Sequence, residues 1–264
     1  MRLLILFLVL ITCKTSPAQE SKLVDIKYLV TKRHDSIHVN WQATYDLQLL
    51  GKTSNYFKNT TVNNQINNKK NAVSFTPKNS LENEDFLFKD YQKKEMYSKD
   101  LIGFRFKTIK DSINNFHWSI KSDTTKIAGY VCRLAESNFR GRTYKAWFTS
   151  ELPAGGPWKL DGLPGLILKA DTKDGYFSVE AINLEISSKD STFEIINPFL
   201  SEEKTYSWQE FKKLYKEKAI NTSKFSPGTS TSAITSPLIR LERYIDFDDP
   251  DYNEKKILNS INRN

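Results

Sequence analysis

Thirteen consecutive residues set the strongest constraint on this chain. From Ile37 to Leu49 every odd position is apolar or aromatic (Ile37, Val39, Trp41, Ala43, Tyr45, Leu47, Leu49), while polar groups from Ser36 to Gln48 fill the even positions. Side chains on an extended backbone point alternately to opposite faces, so a period of two over this length specifies a strand buried on one face. Shorter alternations at Ile102, Phe104 and Phe106, and at Phe116, Trp118 and Ile120, predict further strands. Tyr144, Ala146 and Phe148 alternate with Lys145, Trp147 and Thr149, and Asn138 to Gly141 before them predict a turn that folds this strand back onto Tyr130 to Leu134. Between Tyr176 and Ser187 the apolar parity switches, from Phe177, Val179 and Ala181 to Ile182, Leu184 and Ile186. One extra residue resets the facing of a strand, so a β-bulge is expected near Ala181.

Only one helix is well signalled. Ser207-Trp208-Gln209-Glu210 is a capping box, after which Trp208, Phe211, Tyr215 and Ala219 fall on one helical face. The predicted class is therefore mainly β: a curved antiparallel sheet, half-barrel or sandwich-like, with one covering helix near residues 207–219. The segments Asn63 to Asn71 and Thr222 to Pro237 lack any apolar period and read as loops, and Tyr252 to Asn264 reads as a polar tail. Neither loop separates two domains. Hydrophobic residues at 39% and charged residues at 27% suit a packed core and exclude wholesale disorder.

Leu3 to Ile11 are nine uninterrupted apolar residues behind Arg2, followed by Ser16-Pro17-Ala18. As a helix they rise about 14 Å, half of the roughly 30 Å hydrocarbon core, so they read as a secretion leader and not as a membrane span. Small residues at Ser16 and Ala18 predict cleavage after residue 18, leaving residues 19–264 as a single β-rich domain. The expected location is the periplasm or the outer-membrane surface. Leu10-Ile11-Thr12-Cys13 resembles a lipoprotein box, so a lipid anchor at Cys13 is the competing address. Cleavage leaves Cys132 alone, and on a strand between apolar neighbours it reads as a buried, inert thiol.

Sites for chemistry are sparse. His34 and His38 lie four residues apart at or just before a strand, a span of about 13 Å, too far to share one zinc, and His117 lies opposite its aromatic neighbours. No metal and no cofactor are therefore expected. Nucleophile-elbow, phosphate-loop, H-E-x-x-H and C-x-x-C patterns do not occur, and Asp161, Asp171 and Asp174 beside glycines read as turn formers in place of an acid–base pair. The net charge of +8 includes only short runs such as Lys69-Lys70 and Lys93-Lys94, with no motif for nucleic acid. It suits weak attraction to anionic headgroups.

The densest information lies in Leu152 to Ala170, LPAGGPWKLDGLPGLILKA. Seven prolines and glycines prescribe a tight path, which drops Leu163, Leu166, Ile167 and Leu168 into apolar surroundings, with Leu166 to Leu168 opening the next strand. The loop is either a packed crossover or, with Trp147, Trp158, Leu163, Pro164 and Leu166, the wall of an apolar ligand pocket.

Gly162-Leu163-Pro164-Gly165-Leu166-Ile167 spells the hexapeptide that names the GLPGLI family of secreted Bacteroidetes proteins, which this chain resembles. The resemblance extends to Lys126 to Cys132, to Gly141 to Thr149 with Phe148 where tyrosine is expected, to Pro153 and Gly156-Pro157, and to Leu49 to Phe57. It covers about residues 47–186. It implies an envelope protein of unestablished role, often encoded near outer-membrane uptake systems, and supplies no catalytic residues. Fold-level analogy with lipoprotein carriers suggests a non-enzymatic binding protein for a lipid or other apolar ligand. The alternatives are an accessory or scaffold protein of an outer-membrane receptor, with a filled core, and a cryptic hydrolase.

Overall fold

A computed structural model describes residues 21–34, 39–59, 86–102, 105–189, 193–225 and 241–242. The leader with Cys13, the His38, Phe104 and Asn63 to Asn71 positions, and the C-terminal tail lie outside the described residues. Among the described residues, twelve strands form one open, curved sheet. They are β1 (Ser21–His34), β2 (Val39–Leu50), β3 (Thr53–Lys58), β4 (Phe86–Asp90), β5 (Glu95–Ile102), β6 (Arg105–Ser112), β7 (Ser119–Ile127), β8 (Tyr130–Phe139), β9 (Arg142–Thr149), β10 (Leu166–Thr172), β11 (Phe177–Lys189) and β12 (Thr205–Ser207). Their spatial order is β12-β6-β5-β4-β3-β2-β1-β11-β10-β9-β8-β7. Every pairing is antiparallel except that of β12 with β6, which is parallel.

The alternation on β2 sets the faces as expected. Ala43, Tyr45, Leu47 and Leu49 are buried, and they join Val24, Ile26, Tyr28 and Val30 of β1 in the main core on what is here called the inner face. The β8–β9 hairpin forms with Phe139 opposite Arg142, and its two-residue turn, Arg140-Gly141, has φ of 44° and 82°. Two positive φ values give the turn whose twist matches that of the strands. The expected bulge is present. Lys27 pairs with Asn183 and Tyr28 with Ala181, so Ile182 is the extra residue.

Two strand expectations are corrected. Ile102 ends β5 and Arg105 opens β6 directly opposite it, so the alternation through Phe106 spans a chain reversal. Phe116 and Trp118 precede β7 in a loop, where Phe116 stacks on Phe139 at 4.1 Å and fills the inner face. Helix α1 (Trp208–Phe225) runs into the segment read as a loop from Thr222. Its capping box forms: Ser207 N–H donates to Glu210 Oε2 at 2.8 Å and Glu210 N–H to Ser207 Oγ at 3.3 Å. Phe211, Tyr215 and Ala219 then bury against Ile109 of β6. The helix thus covers the β6 end of the sheet, while a smaller core of Leu23, Leu50, Phe88, Ile195 and Phe199 caps part of the outer face.

At its centre the sheet splits. Strands β10 and β11 pair at only three positions, 169–171 with 178–180. Beyond them the edge of β10 is taken by the crossover: Ile167 N–H donates to Gly155 O at 3.0 Å and Gly155 N–H to Gly165 O at 3.3 Å. The Tyr28 hydroxyl donates to Ile167 O at 2.6 Å, closing the gap from β1.

Candidate functional site

The inner face is filled by the crossover of residues 150–165. Leu152, Leu160, Leu163 and Leu166 are all buried in the main core. Trp158 stacks on Tyr144 at 6.2 Å and meets Phe139 edge-on at the same distance. Pro164 is exposed, and Trp147, opposite Leu134 and Lys169 in the register, is half-buried and packs against the main core. Of the five residues proposed as a ligand wall, Leu163 and Leu166 lie in the main core, Trp147 and Trp158 pack against it, and Pro164 is exposed.

What fixes the crossover is a lysine that the sequence reading passed over. Lys89 lies on the inner face of β4 at 0% exposure, and its Nζ donates to Gly156 O at 2.9 Å, Leu160 O at 3.0 Å and Asp161 Oδ2 at 2.9 Å. Burial lowers the Lys89 pKa, against the pull of Asp161. Asp161 is also a turn former, as expected, since its Oδ1 accepts from Gly162 N–H at 2.8 Å. Trp118 Nε1 donates to Asp161 O at 2.7 Å. The buried Tyr91 hydroxyl shares a hydrogen bond with Ser54 Oγ at 3.1 Å, and burial, followed by the nearby Asp161 charge, drives its pKa well up. The available signal was parity: Leu87 and Lys89 share a face of a short apolar strand.

A second charged group clasps the two ends of the sheet. Arg140, at the β8–β9 turn, bonds Asp111 of β6 and Glu242, and its guanidinium lies 3.4 Å above the Trp208 ring. Lys159 of the crossover donates to the other Glu242 oxygen at 2.6 Å, both side chains being buried. Arg142 bonds Asp174 and donates from Nε to Leu241 O at 2.9 Å. Three cations thus meet three carboxylates, so these groups are spent on each other and on the architecture. Asp174 keeps its expected turn role as well, accepting from Tyr176 N–H at 3.2 Å, whereas Asp171 is no turn former: it lies within β10, paired with Ser178 and Lys145.

The outer face of β2 holds a polar row. Asp46 Oδ2 accepts from Asn59 Nδ2 at 2.7 Å, while Asp46 Oδ1 and Thr44 Oγ1 are buried without hydrogen-bond partners. Burial, the largest influence, raises the Asp46 pKa, and Lys27 opposes it. A carboxyl with a raised folded-state pKa destabilises the fold when ionised, and that penalty is relieved as pH falls through the raised value. Asp46→Asn is therefore expected to melt at a higher temperature than the native chain at pH 7. The difference should shrink on acidification toward pH 4, which melting curves across that range will read.

The described cleft is elsewhere, between β6 and the approach to β12. It has a volume of about 370 Å³, is open to solvent, and is lined by residues 106–108, 201–204 and Tyr206. Its walls are predominantly polar, with Lys107 and Lys204 over the Tyr206 ring at 5.4 and 4.7 Å. Among the described residues no cluster of three or more His, Cys, Asp or Glu is arranged to hold a metal. Cys132 is a free, buried thiol whose pKa burial raises. His117 is exposed.

The fold and its sites define a class: an open, curved antiparallel sheet whose inner face is sealed by its own crossover and whose open cleft lies at the β6–β12 end. Residues 54–207, more than half of the chain, match the family described as N-glycanase peptide, N-terminal domain, and the chain belongs to that family. Among solved structures it is similar to PNGF-II in space group P21, at 18% identity and TM-score 0.49, over 75% of this chain and 34% of that one. The C2 form of PNGF-II gives 16% identity and TM-score 0.48, over 75% and 33%. This chain thus spans about a third of the length of those proteins. No curated protein matches it.

Proposed function

We propose that the chain is an exported, non-catalytic binding module of the N-glycanase type, which takes a hydroxyl-rich ligand such as a glycan at the cleft between β6 and residues 201–206. The observation that carries this reading is the contrast between the two faces of the problem: the inner face is occupied by Leu152, Leu160 and Leu163, whereas the open cleft is polar. A volume near 370 Å³ falls in the range of small-ligand sites, and polar walls beside an aromatic ring suit sugar hydroxyls better than a lipid tail. The family's N-glycanase name supports a glycan as the ligand class. The residues of the GLPGLI resemblance from Lys126 to Ile167 lie within the matched range, so both likenesses rest on the same crossover and strands.

Titration of the isotope-labelled protein with N,N′-diacetylchitobiose, followed by amide shift changes, tests the proposal. Shifts should cluster at residues 106–108 and 201–206, and Lys107→Ala with Glu203→Ala should weaken binding by about tenfold or more, the worth of one or two polar contacts. A folded protein whose amides do not move overturns the glycan reading. A lipid retained in native mass spectra would instead return the apolar-ligand reading.

A further inference from the structure

We propose that Lys89 and Asp161 condense spontaneously to an intramolecular isopeptide bond, which ties β4 covalently to the crossover. The pair has the geometry of an acyl transfer. Nζ lies 2.9 Å from Asp161 Oδ2, and both side chains are sealed from water, at 0% and 4% exposure. Inside a low-dielectric core an ion pair neutralises readily by moving one proton from the ammonium to the carboxylate. The resulting amine keeps two N–H groups, and two carbonyls, Gly156 O and Leu160 O, stand at 2.9 and 3.0 Å to receive them. Its lone pair is then left to face the Asp161 acid.

The other requirements of the step are present too. Gly162 N–H donates to Oδ1 at 2.8 Å, where negative charge develops as Nζ adds to Cγ. A C–N bond forms between Nζ and Cγ, the Cγ–Oδ2 bond breaks, and Oδ2 leaves as water with the proton it took from Lys89 and a second from the nitrogen. Nothing is oxidised or reduced, and no co-reactant is needed. The product amide keeps one N–H for one of the two carbonyls. Reacting atoms held in contact and away from water gain the large effective concentration that makes such a condensation feasible without an enzyme.

The inference is independent of the glycan reading, and intact mass under denaturing conditions tests it. The purified chain should weigh one water less than its polypeptide formula, and a tryptic digest should yield a branched peptide joining Lys89 to Asp161. Lys89→Met should restore the full mass. Asp161→Asn, where it folds, should lose ammonia in place of water, while the mass of Lys89→Met reads the same whether or not that variant folds. Full mass in the native sequence, with Lys89 acetylated by acetic anhydride once the chain is denatured, overturns the proposal. So does a water loss that persists in Lys89→Met.

Discussion

Gly165→Ala is expected to destabilise the fold by about 4 kcal/mol or more and to lower the melting temperature by on the order of 8–16 °C. A Cβ at this position would lie 2.0 Å from Thr149 O, 2.6 Å from Thr149 C and 2.9 Å from Ser150 Cα. All three atoms are backbone, at the end of β9, so no side chain can rotate away to make room. The residue also has φ of +155°, at the margin of the region that L side chains avoid. Gly51→Ala is the control. Gly51 has φ of +56° with nothing near its missing Cβ, so that substitution isolates the backbone preference and should cost about 1 kcal/mol. Equal losses in the two variants, measured by thermal melts, would remove the close approach as the reason for glycine in the hexapeptide.

The second large effect falls on the buried pair. Asp161→Ala leaves Lys89 in the core with neither its carboxylate nor the proposed bond to it; removing one partner of such a buried pair costs about 3–5 kcal/mol, and loss of the cross-link adds to that. Lys89→Met is expected to be at least as damaging. It removes one donor from three acceptors at once, Gly156 O, Leu160 O and Asp161 Oδ2, and Met cannot replace it. Urea titrations at pH 7 check both. For comparison, loss of the exposed Lys93–Asp90 pair in Lys93→Ala should cost less than about 1 kcal/mol. If Asp161→Ala and Lys93→Ala unfold at the same urea concentration, the pair does not hold the crossover.

Facing was legible in the sequence; partnership was not. Period two placed Tyr45, Leu47 and Leu49 in the core, the parity switch located the extra residue Ile182, and the capping box located the start of α1. The same periodicity failed at Ile102 to Phe106. Apolar residues alternate equally well through a reversal, because each of the two paired strands obeys the rule separately. It failed at Phe116 and Trp118 because a loop packed into the core also spaces its aromatics. The charged groups were hidden for a different reason. Asp111, Arg140, Lys159 and Glu242 are scattered over more than a hundred residues, and only the folding of sheet, crossover and residues 241–242 onto one another brings them together. Lys89 was hidden because charge is normally read as exposure, and that rule gives way where three acceptors converge.

The place of β1 in the middle of the sheet has a consequence for the order of folding. Its partners are β2, next in sequence, and β11, which sets Ser21 against Lys189 and Lys32 against Phe177. A chain that emerges from its N-terminus therefore carries one hydrogen-bonding edge of β1 unpartnered until nearly the whole sheet has been delivered. Tyr28 finds its acceptor, Ile167 O, only then. Contacts this distant in sequence form slowly, because the long loop must close before the pairing of β1 with β11 rewards it. The early segments stay without their partners until the arrival of β10 and β11 locks them into place.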